Sequence, residues 1–176
     1  MNKKILINII GAIFIFLIGF IIHNLYDWFP NILISIISPV NESIFEHIKL
    51  IFTSYIIWLI VKYFIYKNNN LEENNLILKE VITTLFSIIL FLIIFLPIYN
   101  KFGENLFITL FIYFISITIS QILNYFITIK KESRILDIIG VGIIIIFYII
   151  TTYLTYKPPI NDFFLDPTNN SYGLNK

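Results

Sequence analysis

Long uncharged apolar runs alternate with short polar breaks along this chain, and their lengths predict five membrane-spanning helices. The runs lie at about residues 5–22, 41–64, 81–99, 106–129 and 138–156, and a polar tail, 157–176, closes the chain. The first run follows Lys3 and Lys4. A signal peptide would be shorter, with a small-residue cleavage site behind it. The run is long, lacks that site and precedes further spans, so it reads as an uncleaved anchor. His23–Pro30 is a polar, aromatic break containing Tyr26, Asp27 and Trp28. The apolar stretch Asn31–Ser38 between Pro30 and Pro39 is too short to cross. As helix it would cover about 12 Å, against a hydrocarbon core of about 30 Å. It is predicted as a re-entrant or interfacial segment.

The second span carries most of the polar information. Only Leu50–Val61 is free of charge between Lys49 and Lys62. That length gives about 18 Å of helix, so the helix must begin before Lys49 to cross. A start near Asn41 places Glu42, Glu46, His47 and Lys49 on its first turns, with Lys49 and Lys62 able to snorkel to the two surfaces. Pro39 suits an early helical position, whereas Ser43 with Glu46 matches a capping box, so two starts remain open. The fold class expected is all-α: a polytopic transmembrane bundle of five spanning helices plus one short segment, forming a single domain over residues 1–176.

Composition narrows the function classes. The chain is 58% hydrophobic and 13% charged, about half the charged share of a soluble domain. The lipid bilayer is therefore its expected surrounding. A net charge of +1 argues against nucleic acid as a partner. With no cysteine, disulfides and thiolate metal sites are excluded. No phosphate-cradling glycine loop or nucleophile elbow occurs, and Gly140-Val141-Gly142 sits inside an apolar run. The basic residues set the orientation. Lys3, Lys4, Lys62, Lys67, Lys79, Lys130, Lys131 and Arg134 fall on one side, against Lys49, Lys101, Lys157 and Lys176 on the other. This predicts a multi-pass protein of the plasma membrane, N-terminus cytoplasmic and C-terminus outside. The His23–Pro30 break, the polar cluster, the Asn100–Asn105 turn and the tail then share the outer face.

The cluster Asn41–Lys49 is where chemistry is expected. On a helix Glu42, Glu46 and Lys49 would follow one stripe, with Ser43 and His47 beside it. His23, the other histidine, is expected at the same depth, near Asp27. Carboxylates and imidazoles near a membrane surface usually face a partner or a water-filled cavity. Two chemistries fit. One is a metal held by His23, His47 and a carboxylate such as Glu46. The other is proton handling or catalysis by Glu42, Glu46 and His47. Asn41, Ser43, Lys49, His23 and Asp27 would then contribute to binding. In a purely structural account Glu46 and Glu42 serve the helix N-terminus, Lys49 pairs with Glu46 or snorkels, and His47 only bonds the loop.

On the fourth span Thr109, Tyr113, Ser116, Ser120, Asn124 and Thr128 recur every three or four residues, with Gln121 beside them. The stripe suits interhelical hydrogen bonding. If the protein transports a ligand, Ser120 and Asn124 should line a cavity continuous with the outer cluster. Thr83, Thr84 and Ser87 repeat the pattern on the third span. In the tail, Phe163, Phe164 and Leu165 are expected either to dock over the cluster, bringing Asp162 or Asp166 near, or to anchor in the interface.

The segment Pro39-Val40-Asn41-Glu42-Ser43-Ile44-Phe45-Glu46-His47-Ile48-Lys49-Leu50 resembles the signature of a family of small, uncharacterised integral membrane proteins from Firmicutes. The tail residues Pro158-Pro159, Phe164, Asp166-Pro167 and Tyr172-Gly173 are similar to that family's C-terminal pattern, with Phe45 at a position where tryptophan is expected. The resemblance covers essentially the whole chain. It implies a bacterial membrane protein and carries over no catalytic residue, cofactor or substrate.

Three roles follow from the residues. The first is a binding or transport module for a small molecule or ion, with its polar site on the outer face. The second is a membrane-embedded hydrolase using Glu and His at the outer leaflet. The third is a structural partner in which the cluster is only a cap. The sequence names neither cofactor nor oligomeric state.

Overall fold

The computed structural model describes residues 3–103 and 105–174. Lys176, counted above among the outer cations, and Glu104 in the Asn100–Asn105 turn lie outside the described residues. Six helices follow in order: α1 Lys3–Trp28, α2 Ile32–Ile37, α3 Ile44–Asn68, α4 Leu76–Phe102, α5 Leu106–Phe126 and α6 Arg134–Tyr156. All but α2 are long and apolar enough to cross a membrane. A two-residue antiparallel ladder, β1 Leu165–Asp166 with β2 Ser171–Tyr172, closes the tail.

Helix α3 is the centre of the bundle: 56% of its apolar window is buried, against 11% for α6. The reason is packing. Phe52, Tyr55 and Trp58 project from α3 and are sealed from solvent among Ile15, Phe91, Ile112 and Ile117. Gly11 of α1 permits this closeness, because a Cβ there would lie 2.6 Å from the Trp58 ring. On another side Phe52 stacks on Phe147 of α6, with ring centroids 3.5 Å apart. Helices α1 and α4 both flank α5, and α6 packs on α4 and α2.

Several boundaries differ from expectation for physical reasons. The polar break at His23–Pro30 does not end α1, which continues to Trp28 and carries His23 on a rigid helix. Helix α3 begins at Ile44, capped by the Ser43 side chain, which accepts from the Glu46 amide. Of the two starts open in the sequence, the capping one holds. Glu42 therefore sits in the loop before the helix and shares no helical stripe with Glu46 and Lys49. Helix α4 starts at Leu76, so Lys79 and Glu80 lie inside it. Its first amides are satisfied from another helix: Asp137 of α6 accepts from Ile77 and Leu78 at 3.0 and 3.3 Å.

Neither Lys49 nor Lys62 snorkels. Both are fully buried, because each meets a buried carboxylate. Lys62 of α3 pairs with Glu80 of α4, and its ammonium also donates to Asn124 Oδ1 at 2.8 Å and Asn8 Oδ1 at 3.2 Å. A charge so paired and hydrogen-bonded can stay inside the bundle.

Candidate functional site

The polar cluster divides into two parts that face different ways. The first part is a sealed clasp. Glu46 and Lys49 are one helical turn apart on α3, and their charges meet at 2.7 Å. Glu46 Oε2 also accepts from the Val40 amide at 3.1 Å, and Oε1 accepts from the Thr155 hydroxyl at 2.6 Å. Lys49 Nζ donates to the Ser35 carbonyl at 2.7 Å and to Thr155 Oγ1 at 3.0 Å. The clasp thus ties the start of α3 to α2, to the Pro39–Ser43 loop and to the end of α6. Its polar capacity is consumed within the protein.

The second part is open to a cavity. His23 from α1, Glu42 from the loop and His47 from α3 converge. Glu42 Oε2 lies 3.3 Å from His23 Nε2 and 3.7 Å from His47 Nε2, and the imidazole centroids are 5.4 Å apart. One ligating atom from each residue falls within 4.8 Å of the other two. The sequence predicts His23 and His47 at one depth; the fold brings them together because α1 continues past His23. It recruits Glu42 rather than Glu46 as their carboxylate partner.

Backbone contacts orient the group. His47 Nδ1 lies 2.9 Å from the Ser43 carbonyl oxygen. A carbonyl only accepts, so Nδ1 carries a proton, and Nε2 is the ring atom that faces Glu42. The hydrogen bond from His23 holds the Glu42 carboxyl below its ordinary value, with the nearby imidazole charges acting in the same direction and burial opposing. The carboxylate is thus kept ionised, as a ligand or a proton acceptor requires.

The triad borders a cavity of about 310 Å³ between α1, α3, α4 and α5. Its walls are mainly apolar, with Phe20, Leu50, Phe91 and Leu110 among them, and Thr109 and Tyr113 bring in the top of the α5 stripe. A small neighbouring pocket joins Glu42 and His47 to Pro167 of the tail.

The other candidates take different places. Asn41 pins the loop to the tail, donating to the Gly173 carbonyl at 2.9 Å while accepting from the Ser43 amide at 3.0 Å. Ser43 is the α3 cap. Asp27 is exposed one turn beyond His23. The tail docks: the Phe45 amide donates to the Phe163 carbonyl, and the Phe45 and Phe164 rings lie 4.6 Å apart. Asp166 bonds Thr168 inside its own turn. Ser120 and Asn124 lie deep in the bundle, outside the cavity lining. Asn124 donates to Glu80 and Thr83 and accepts from Lys62.

The Lys62–Glu80–Asn124–Asn8 network went unread in the sequence. Its partners are scattered over α1, α3, α4 and α5. The signals available were Asn8, an amide near the start of an otherwise apolar run, and Asn124 on the α5 stripe.

A family model described as a family of unknown function, DUF6512, matches residues 1–174, and the chain belongs to that family. No curated protein and no solved structure matches the chain.

Proposed function

We propose that this DUF6512 member is a metal-binding membrane module, its site built from His23, Glu42 and His47 on the outer face. The observation that carries the reading is the convergence of two imidazole Nε2 atoms on one carboxylate oxygen, at 3.3 and 3.7 Å. Ligands bound to one tetrahedral zinc at about 2.0–2.1 Å lie roughly 3.3 Å apart. The triad is therefore near the spacing that such an ion requires. Two histidines and one carboxylate with no thiolate suit zinc or a related first-row divalent cation. The Ser43 carbonyl supplies the outer hydrogen bond that orients a ligating histidine. Three protein donors leave a coordination position directed at the cavity, which accepts a small molecule or the apolar part of an amphiphile.

The excess of Lys and Arg at the opposite end supports an orientation with the triad and the tail outside, in the plasma membrane of a bacterial cell. The single buried core shared by the spanning helices supports one membrane domain.

A hydrolase acting at the outer leaflet is the second reading. The observation favouring it is the open side of a three-donor set beside an apolar cavity, the arrangement of catalytic rather than structural zinc.

The test is elemental analysis with native mass spectrometry on detergent-purified protein. Wild type is expected to carry about one divalent cation per chain, and His47→Ala and Glu42→Gln are expected to lose it. Folded wild-type protein that binds no added zinc, cobalt or manganese would refute metal binding. The hydrolase reading further requires metal-dependent release of headgroup from phospholipid vesicles, abolished by chelator.

A further inference from the structure

Below the triad cavity a strip of polar side chains runs through the otherwise apolar core. The cavity reaches Tyr113, whose hydroxyl donates to the Ile15 carbonyl at 3.2 Å and has Ser54 at its side. Ser116, Ser120 and Asn124 continue down the same face of α5. Tyr113 to Asn124 covers about 16 Å of helix. Ser87 of α4 and Ser120 flank the Tyr55 hydroxyl in the middle of the bundle. The column ends on Lys62 and Glu80, and Lys62 is bonded to Asn8. Asn8 in turn lines a cavity of about 420 Å³ at the opposite end, beside Glu73 and Lys79.

Several of these groups are short of protein partners. The Tyr55 hydroxyl has only Ser87 and Ser120 beside it, and Ser116 Oγ and Glu80 Oε2 are buried without a hydrogen bond. The residues bearing them are all at most 1% exposed. Interhelical hydrogen bonding accounts for the polar atoms that are paired, and not for Ser116 Oγ and Glu80 Oε2. Polar atoms inside a membrane must be satisfied, and small polar gaps between them are where buried water binds. Ionisable residues at such depth mark proton and ion routes.

We propose that this column is a hydrated proton path joining the triad cavity to the opposite cavity, with Glu80 as its proton-binding group. A proton arriving from the triad end adds to the unpartnered Oε2, turning the carboxylate into a carboxylic acid. Lys62 meanwhile stays hydrogen-bonded to the amide oxygens of Asn8 and Asn124. Release of the same proton toward Asn8 and the opposite cavity restores the ion pair. No electrons move, and no co-reactant is needed. The groups facing Glu80 are Lys62, Tyr55 and Tyr66 from α3, Asn124 from α5 and Lys79 on its own helix, with Thr83 sharing the Asn124 amide.

The path is independent of the metal reading, so its test is run with chelator present. Purified protein is reconstituted in vesicles containing a pH-sensitive dye, and a potassium diffusion potential drives proton entry. Wild type should acidify the lumen several-fold faster than protein-free vesicles. Glu80→Gln should fall to the protein-free rate. Because that change disturbs a buried ion pair, Ser116→Ala and Tyr55→Phe are measured beside it, and both should slow entry several-fold. Thr118→Val, whose hydroxyl bonds only its own helix at the lipid face, should match wild type. A wild-type rate no higher than that of protein-free vesicles overturns the proposal. So does undiminished entry in folded Ser116→Ala and Tyr55→Phe.

Discussion

Lys62 of α3 and Glu80 of α4 meet side chain to side chain, eighteen residues apart in sequence and both sealed from solvent. Removing one partner strands the other charge in a low-dielectric interior, which costs about 3–5 kcal/mol. Replacing both by apolar groups of similar volume removes that penalty. Lys62→Met and Glu80→Leu should therefore each lower stability by roughly that amount, and the double variant by clearly less than the sum. Thermal unfolding in detergent of all four proteins measures the coupling. Strictly additive losses would mean that the pair is not an energetic unit.

The clasp and the triad are neighbours with separable roles. Thr155→Val removes the hydroxyl that donates to Glu46 and accepts from Lys49. Leaving those buried partners short of a bond should cost about 1–3 kcal/mol. The proposed ligands His23, Glu42 and His47 are untouched, so metal content should stay at the wild-type level. His47→Ala should show the opposite pattern: metal lost, with a smaller fall in melting temperature. Parallel melting curves and elemental analysis decide. Loss of metal in folded Thr155→Val would show that the clasp belongs to the site.

The number and type of spanning helices were legible because lipid imposes a length and a polarity on every span. Helix ends were less so. The break at His23–Pro30 read as a loop, yet Asn24, Tyr26 and Asp27 are tolerated in a helix that projects to the membrane surface. The pairing of His23 with His47 was anticipated only as equal depth, since nothing in one chain reports which helices are neighbours. The sequence leaves Lys49 and Lys62 able to snorkel to the two surfaces, the course open to a lone lysine in lipid. What overrode that course for Lys62 was Glu80, which the apolar run had left outside the third span. Glu42 was misplaced onto a helix because the cap at Ser43 and the earlier proline start were equally consistent with the residues.

The tail is held by a backbone conformation that favours glycine. Gly173 has φ of +61°, and a Cβ there would collide with the Thr155 carbonyl and approach the Pro158 ring to 3.1 Å. The left-handed conformation alone costs a non-glycine residue about 1–2 kcal/mol. Gly173→Ala should also strain the Asn41 bond to the Gly173 carbonyl and release Phe163 and Phe164 from Phe45. Limited proteolysis checks this: wild type should resist cleavage between 158 and 173, and the variant should be cut. Equal resistance in both would show that the aromatic contacts suffice.

At the opposite end Glu73 gathers Lys4 from α1 and Lys79 from α4, at 2.9 and 2.7 Å, with Tyr66 of α3 close by. Burial raises the Glu73 carboxyl, but the hydrogen bonds and charges of the two lysines outweigh it and hold the group below its ordinary value. A depressed folded-state value means that the ionised form favours the folded protein. This contribution is complete above the carboxyl's unfolded-state value of about 4.3 and disappears as pH falls through the lower folded-state value. Melting temperature in detergent should therefore decline as acid is added below that point. Glu73→Gln should begin lower at neutral pH and decline less steeply, because it has no such proton to take up. Parallel slopes for the two proteins would place the acid sensitivity elsewhere in the bundle.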